Sequence, residues 1–317
     1  MWLLKVTNFI LLHRKKALAM TFGITFLPVL GALGILIAAF VTLIKGPKEG
    51  ALFSLAAIAP YLISFAFSGG GEASTPLVLW AALGVAVVSN LLTWVFAVML
   101  YKRASWSMVV QTAALLGVLF VSVVHLINPK VESWWNTELQ RYYEAAKEIE
   151  TVTDKTAAVD NQIAQSEAIK ISSHYATGFM SAAVLINALL QLAVARWWQS
   201  VAFKPGSFRQ EMHNIRLSRL AGLLFGVSLT LAYWDNLSYW DNSVVLDMMP
   251  ILYALFTVAG LSLIHFLFGL KKLSVSWFFL SIVYITLAFL LPGSVIFVSM
   301  IALIDIPIDV RARLQKR

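Results

Sequence analysis

The chain has 317 residues, 60% of them hydrophobic and 13% charged, with 24 Lys and Arg against 16 Asp and Glu and a net charge of +8. A soluble domain is about half apolar and about a quarter charged, so this apolar excess has to be solvated by lipid. With no cysteine in the chain, disulfides, thiolate nucleophiles, iron–sulfur clusters and cysteine-ligated zinc are excluded. The positive charge reads as a topology signal, because Lys and Arg collect on cytoplasmic loops of membrane proteins. No basic patch interleaved with aromatics lies on a soluble segment, so nucleic acid is not an expected partner.

In chain order, MWLLKVTNFILLHRKK leads into a long apolar run. That run is too long for the core of a signal peptide and no small-residue cleavage pattern closes it, so an uncleaved membrane segment is expected. Apolar stretches follow at 17–44, 50–68, 77–100, 106–127, 175–195, 218–234, 249–270 and 274–304. A helix needs about 20 residues to cross a hydrocarbon core of about 30 Å, and most of these stretches fit one crossing. The first and last are too long for one, and each is interrupted, by LPVLGALG (27–34) and LPGS (291–294). If both are broken pairs that cross twice, 19 of the 24 basic residues fall on the cytoplasmic side with four of the 16 acids. If each crosses once, the bases divide 13 against 11 and the bias vanishes. The positive-inside rule therefore favours about ten segments with both termini cytoplasmic.

The SGGGEAS loop (68–74) lacks the Lys-Ser/Thr of a phosphate-binding loop and reads as an outer turn. Asn90, Thr93, Gln111, Asn187 and Gln191 are uncharged polar groups within the spans, where they either join helices or line a solute cavity. His125 lies near the end of its span and is either a hydrogen-bonded packing residue or a proton- or ligand-handling one. The sizeable extramembranous loop is 128–174. There Val131, Trp134, Trp135, Leu139, Tyr142, Ala146 and Ile149 recur at helical spacing. They predict an amphipathic helix on the outer membrane surface followed by a second, polar helix, with a lid over a cavity as the alternative. Gly178-x-x-x-Ala182 permits close helix contact.

The stretch ARWWQSVAFKPGSFRQEMHNIRLS (195–218) carries the densest pattern. Arg196, Trp197 and Trp198 end a span as a basic and aromatic anchor, and Pro205-Gly206 is a turn. Ser207 with Gln210 three residues later predicts a capping box. Phe208, Met212 and Ile215 form an apolar stripe beside Arg209, Arg216 and Arg219. The element at 196–219 is either an interfacial helix that fixes topology or a docking site for anionic lipid or a protein partner. For docking, the candidates are Arg196, Trp197, Trp198, Phe208, Arg209, His213 and Arg216. Further on, YWDN occurs twice within 233–243, a pattern of surface turns whose aromatics and carboxylates also suit a sugar or a cation. His265 sits inside LSLIHFLFGL and has the same two readings as His125. Asp305 and Asp309 are expected to pair with Arg311 or Arg313 or to cap a turn. No H-x-x-x-H is present, and His213 and Glu211 point to different helix faces, so no metal site is expected.

WWQ…PGSFRQEMHNIRLS closely resembles the WWQ–(N)PGGFR-E-H–LRLS signature of the YybS-like family of bacterial membrane proteins, whose function is unknown. SWSMVVQTAALLG (105–117), His125, Pro129, Trp134-Trp135, His265, Tyr284 and LIDIPIDVRARL (303–314) extend the resemblance over the chain. Lys204, Ser207 and Ile306-Pro307 depart from the pattern. The family is in turn similar to the substrate-binding S-components of energy-coupling-factor transporters, whose glycine turn TLIKGPKEGALFSL (42–55) resembles, and to MreD-like proteins. The resemblance implies a small-molecule cavity among helices or a scaffold role.

These readings converge on an all-α polytopic transmembrane bundle, a single integral membrane domain over 1–317 containing the 128–174 loop and the 196–219 element. The first functional expectation is a solute-binding or transport-type subunit of the bacterial inner membrane, with His265, Asn187, Gln191 and His125 as candidate ligand-binding residues. The second is a non-transporting scaffold for envelope machinery. No nucleophile, metal set or acid–base dyad is visible, so no enzyme activity and no cofactor are expected, and a lipid-modifying enzyme ranks third.

Overall fold

The computed structural model describes residues 2–27, 30–68, 77–150, 158–233, 243–270, 277–291 and 293–315. The YWDN repeat beyond Tyr233, the loop from 69 to 76, Pro28 and Pro292 lie outside the described residues. The described chain is all-helical, with fifteen helices. They are α1 (Trp2–Leu12), α2 (Arg14–Thr25), α3 (Gly31–Lys45), α4 (Pro47–Phe67), α5 (Leu77–Tyr101), α6 (Trp106–Ile127), α7 (Val131–Glu150) and α8 (Ala158–Ser173). There follow α9 (Ala176–Phe203), α10 (Ser207–Met212), α11 (Arg219–Tyr233), α12 (Ser243–Leu270), α13 (Trp277–Leu290), α14 (Gly293–Ile308) and α15 (Val310–Gln315).

Five of these, α4, α5, α6, α9 and α12, are long and apolar enough to cross a membrane. Four further apolar helices, α1, α3, α11 and α14, have 11 to 16 residues. The stretch 17–44 is divided between α2 and α3, and 274–304 between α13 and α14, so each long apolar run holds two helices. The 128–174 loop forms two helices, α7 and α8, which pack on each other.

By internal packing the described residues group into two compact units, and the chain passes between them inside α6, α9 and α12. Unit 1 comprises 1–110, 184–216 and 261–275. Its centre is α3, whose residues from Ile35 to Leu43 are all buried, packed against α2, α4 and α5. The α3–α4 corner follows from Gly46-Pro47. Gly46 has φ +91 and ends α3, and Pro47 opens α4 at a position where a missing N–H costs nothing. Gly50 lets α4 lie directly on Thr42 of α3.

Unit 2 comprises 111–183, 217–260 and 276–317. Phe225 of α11 is fully buried, 5.4 Å from Tyr253 and 4.3 Å from Phe256 of α12 between ring centroids. Gly260 brings α12 onto the backbone of α14 at Val298, and Thr257 donates to the Val295 carbonyl at 2.9 Å. At the end of α14, Asp305 accepts from the Val310 N–H at 3.0 Å and Asp309 from the Ala312 N–H at 3.2 Å. The two carboxylates thus cap the turn into α15.

Candidate functional site

The most unusual chemistry lies in unit 2. His125 stands in the last turn of α6, and Asp247 near the start of α12. His125 Nε2 and Asp247 Oδ2 are 3.0 Å apart, with side-chain exposures of 7% and 3%. The second carboxylate oxygen, Oδ1, accepts the backbone N–H of Gly178 at 2.6 Å. Gly178 is the third residue of α9, where a backbone N–H has no partner within its own helix. The carboxylate therefore sits at the N-terminal ends of two helices and the imidazole at the C-terminal end of a third, the arrangement that helix dipoles favour for an anion and a cation. A Cβ on residue 178 would overlap the Asp247 carbonyl oxygen, so only glycine permits this approach of α9 to α12.

The residues just ahead of Gly178 fasten α7 in place. Thr177 Oγ1 accepts from Trp135 Nε1 at 2.9 Å, and His174 Nδ1 lies 3.1 Å from Glu132 Oε1. Five residues, 174 to 178, thus connect the amphipathic hairpin with the buried pair.

In unit 1 the 196–216 element is tied down from several sides. Glu211 takes both Nε and Nη2 of Arg196, at 2.9 and 2.6 Å, and the indole N–H of Trp106 at 3.0 Å. Gln199 accepts from Arg196 and donates to the Leu43 carbonyl. Trp198 is buried, stacked on Phe40 at 4.4 Å, and its N–H donates to Thr7 at 2.9 Å. Ser262 donates to the Met212 carbonyl and accepts the Ile215 N–H, while Ser107 accepts the Arg216 N–H and donates to the Asn214 carbonyl.

The expected capping box at Ser207 is overturned. Gly206, at φ +88, is the N-cap of α10, and Ser207 is already helical. The Phe208 N–H is satisfied instead by Ser200 Oγ of α9, which also meets the Ser207 hydroxyl. Gly206 has no side chain with which to cap α10. The apolar stripe also divides: α10 ends at Met212, and Met212 and Ile215 are both buried.

Of the residues marked for docking, Arg196 and Trp198 are thus engaged internally. Trp197 and Arg209 are exposed, and Phe208, His213 and Arg216 are intermediate. His213 and Arg209 converge over Gly269, where a Cβ would lie 3.0 Å from the imidazole and 3.9 Å from the guanidinium. Their charges bear on His265, which is buried one turn earlier on α12. Basic groups over the last turn of α12 complement its dipole. His265 is therefore grouped with His213 and Arg209, while His125 belongs to the pair in unit 2. Asn187 donates to Ser89 at 2.6 Å, and Gln191 is half-buried one turn further along α9. Beside Ser89, Asn90 is 1% exposed and its amide makes no hydrogen bond to protein.

Asp247 and Glu211 complete these two centres, and neither was among the residues marked from sequence. A signal for Asp247 was present: it is the sole acid in the apolar run from Ser243 to Leu270. No protein family, curated protein or solved structure matches the chain. Its helices and its site define a class, an all-α protein of membrane-spanning type with an ionisable pair buried inside its apolar helices.

Proposed function

We propose that this chain is a solute-binding or transport-type subunit of the bacterial inner membrane, built around the His125–Asp247 pair. The observation that carries this reading is the burial of two ionisable side chains inside helices long and apolar enough to span a bilayer. Ionisable groups in that setting are costly and mark solute or ion pathways. The resemblance to the YybS-like family, and through it to transporter S-components, supports the same reading. The charge asymmetry favours about ten segments with both termini in the cytoplasm.

The test is recovery of bound solute. Purified in mild detergent and extracted for mass spectrometry, the protein is expected to retain a small molecule that Asp247→Asn does not. Bare protein in both preparations overturns the proposal. For topology, single cysteines replacing Pro47 and Asp160 are expected to label from opposite faces of the membrane, and same-face labelling removes the broken-pair arrangement of 17–44.

A scaffold role is the second reading. Lys204 and Arg209 are exposed at and just before α10, cationic groups suited to a partner or to anionic headgroups. A co-purified protein in place of a solute favours it.

A further inference from the structure

The chemistry of the pair limits what is able to exchange there. Asp247 has two carboxylate oxygens, and both already accept hydrogen bonds, one from Gly178 N–H and one from His125. A hard metal cation takes about six oxygen ligands, and would have to displace both donors to gain a single carboxylate. Among the described residues no group of three His, Cys, Asp or Glu gathers to hold one. An anionic solute meets a carboxylate of its own sign. The proton requires neither extra ligands nor space.

We propose that the proton is the species exchanged at His125–Asp247, and that the pair couples proton binding to the work of this subunit; the inference rests on the transport-type reading above. Imidazole is able to hold one hydrogen bond while changing charge. Nε2–H remains donated to Asp247 Oδ2, and the proton that comes and goes is the one on Nδ1. Uptake makes an imidazolium that balances the carboxylate, and release leaves one buried negative charge, held by the Gly178 N–H and the N-terminal ends of α9 and α12. That uncompensated charge favours rearrangement of the helices around it, which is the coupling.

The Glu132–His174 pair on the α7 side is more open, with side-chain exposures of 34% and 28%. Its His174 lies four residues along the chain from Gly178, whose N–H holds Asp247. Other titratable groups of the same unit include Tyr175 ahead of α9, Tyr233 at the end of α11 and Tyr253 on α12, with Glu138 and Arg141 on α7 and Lys170 on α8.

Infrared difference spectroscopy of the full-length protein in lipid tests this directly. A pH step at constant salt is expected to give imidazole and carboxylate bands that are abolished in His125→Gln and in Asp247→Asn. Exchange of sodium for N-methylglucamine at constant pH is expected to give none from the pair. If either variant fails to fold, aspartate and histidine isotope labels assign the same bands in the unaltered protein. Absence of pair bands in the pH step overturns the inference and leaves a fixed structural contact. Sodium-dependent bands lost in Asp247→Asn overturn it in favour of a metal cation. A solute retained without proton-linked bands removes the proton alone, whereas proton-linked bands in a protein that retains no solute remove the transport-type reading.

Discussion

The Arg196–Glu211 and His125–Asp247 pairs bring a basic and an acidic side chain to similar distances, 2.6 and 3.0 Å, in very different surroundings. The first joins residues 15 apart in sequence, and each side chain is 27% exposed. The second joins residues 122 apart and is almost entirely enclosed. Water and salt reach the first pair, so its attraction is largely offset by what hydration already supplied. At the second pair, removing one partner strands the other without solvent. Distance alone says little about such contacts; burial decides which one organises the molecule.

The largest expected effect follows from that asymmetry. Asp247→Ala is expected to cost about 3–5 kcal/mol, because it leaves His125 and the Gly178 N–H unpaired in an apolar setting. The double variant His125→Leu with Asp247→Leu is expected to recover most of that stability and to retain no solute. Denaturant unfolding in mixed micelles measures the first, and solute retention the second. A double variant no more stable than Asp247→Ala contradicts the argument from desolvation.

Next in size is Gly178→Ala. Its added methyl overlaps the Asp247 carbonyl and forces α9 from α12, an overpacking cost of about 1–3 kcal/mol. Gly226 on α11 is the control, since a Cβ there meets nothing within 4 Å. Gly226→Ala is expected to be neutral or stabilising by up to about 1 kcal/mol, from helix propensity alone. Equal losses at the two positions mean that close approach is not what Gly178 provides.

Ser200→Ala tests the cap that sequence misplaces. Loss of the hydroxyl that satisfies the Phe208 N–H is expected to cost about 1 kcal/mol. Ser207→Ala is expected to cost less, because its own hydroxyl meets only that of Ser200. The reverse order restores Ser207 as the cap.

The helical, membrane-spanning character was legible because it is carried by composition and by period, both of them local properties. The breaks in 17–44 and 274–304 were legible from Pro and Gly, and the α7–α8 hairpin from one apolar stripe followed by a polar run. What escaped is non-local. His125 was visible as an ionisable group in an apolar run, but its partner lies on another helix 122 residues away. Asp247 was masked by proximity to the polar segment before α12, where an acid reads as loop. The capping error has the same root. A box motif describes residues three apart, and Gly206 in the left-handed region handed the task to a hydroxyl on the preceding helix.

The smallest expected effect sharpens the comparison most. Glu211→Gln keeps an acceptor for Trp106 and removes the charge opposite Arg196, so it is expected to cost at most about 1 kcal/mol. Because the pair is partly open to solvent, added salt competes with it, and its contribution is expected to shrink as ionic strength rises. The deficit of Asp247→Asn, measured in the same micelles, is expected to stay constant over the same salt series, since ions do not reach between α6, α9 and α12. Two deficits that fall together with salt give both pairs the same surroundings. A flat response at Asp247 beside a falling one at Glu211 separates a screened surface contact from a charge pair that the fold has taken out of water.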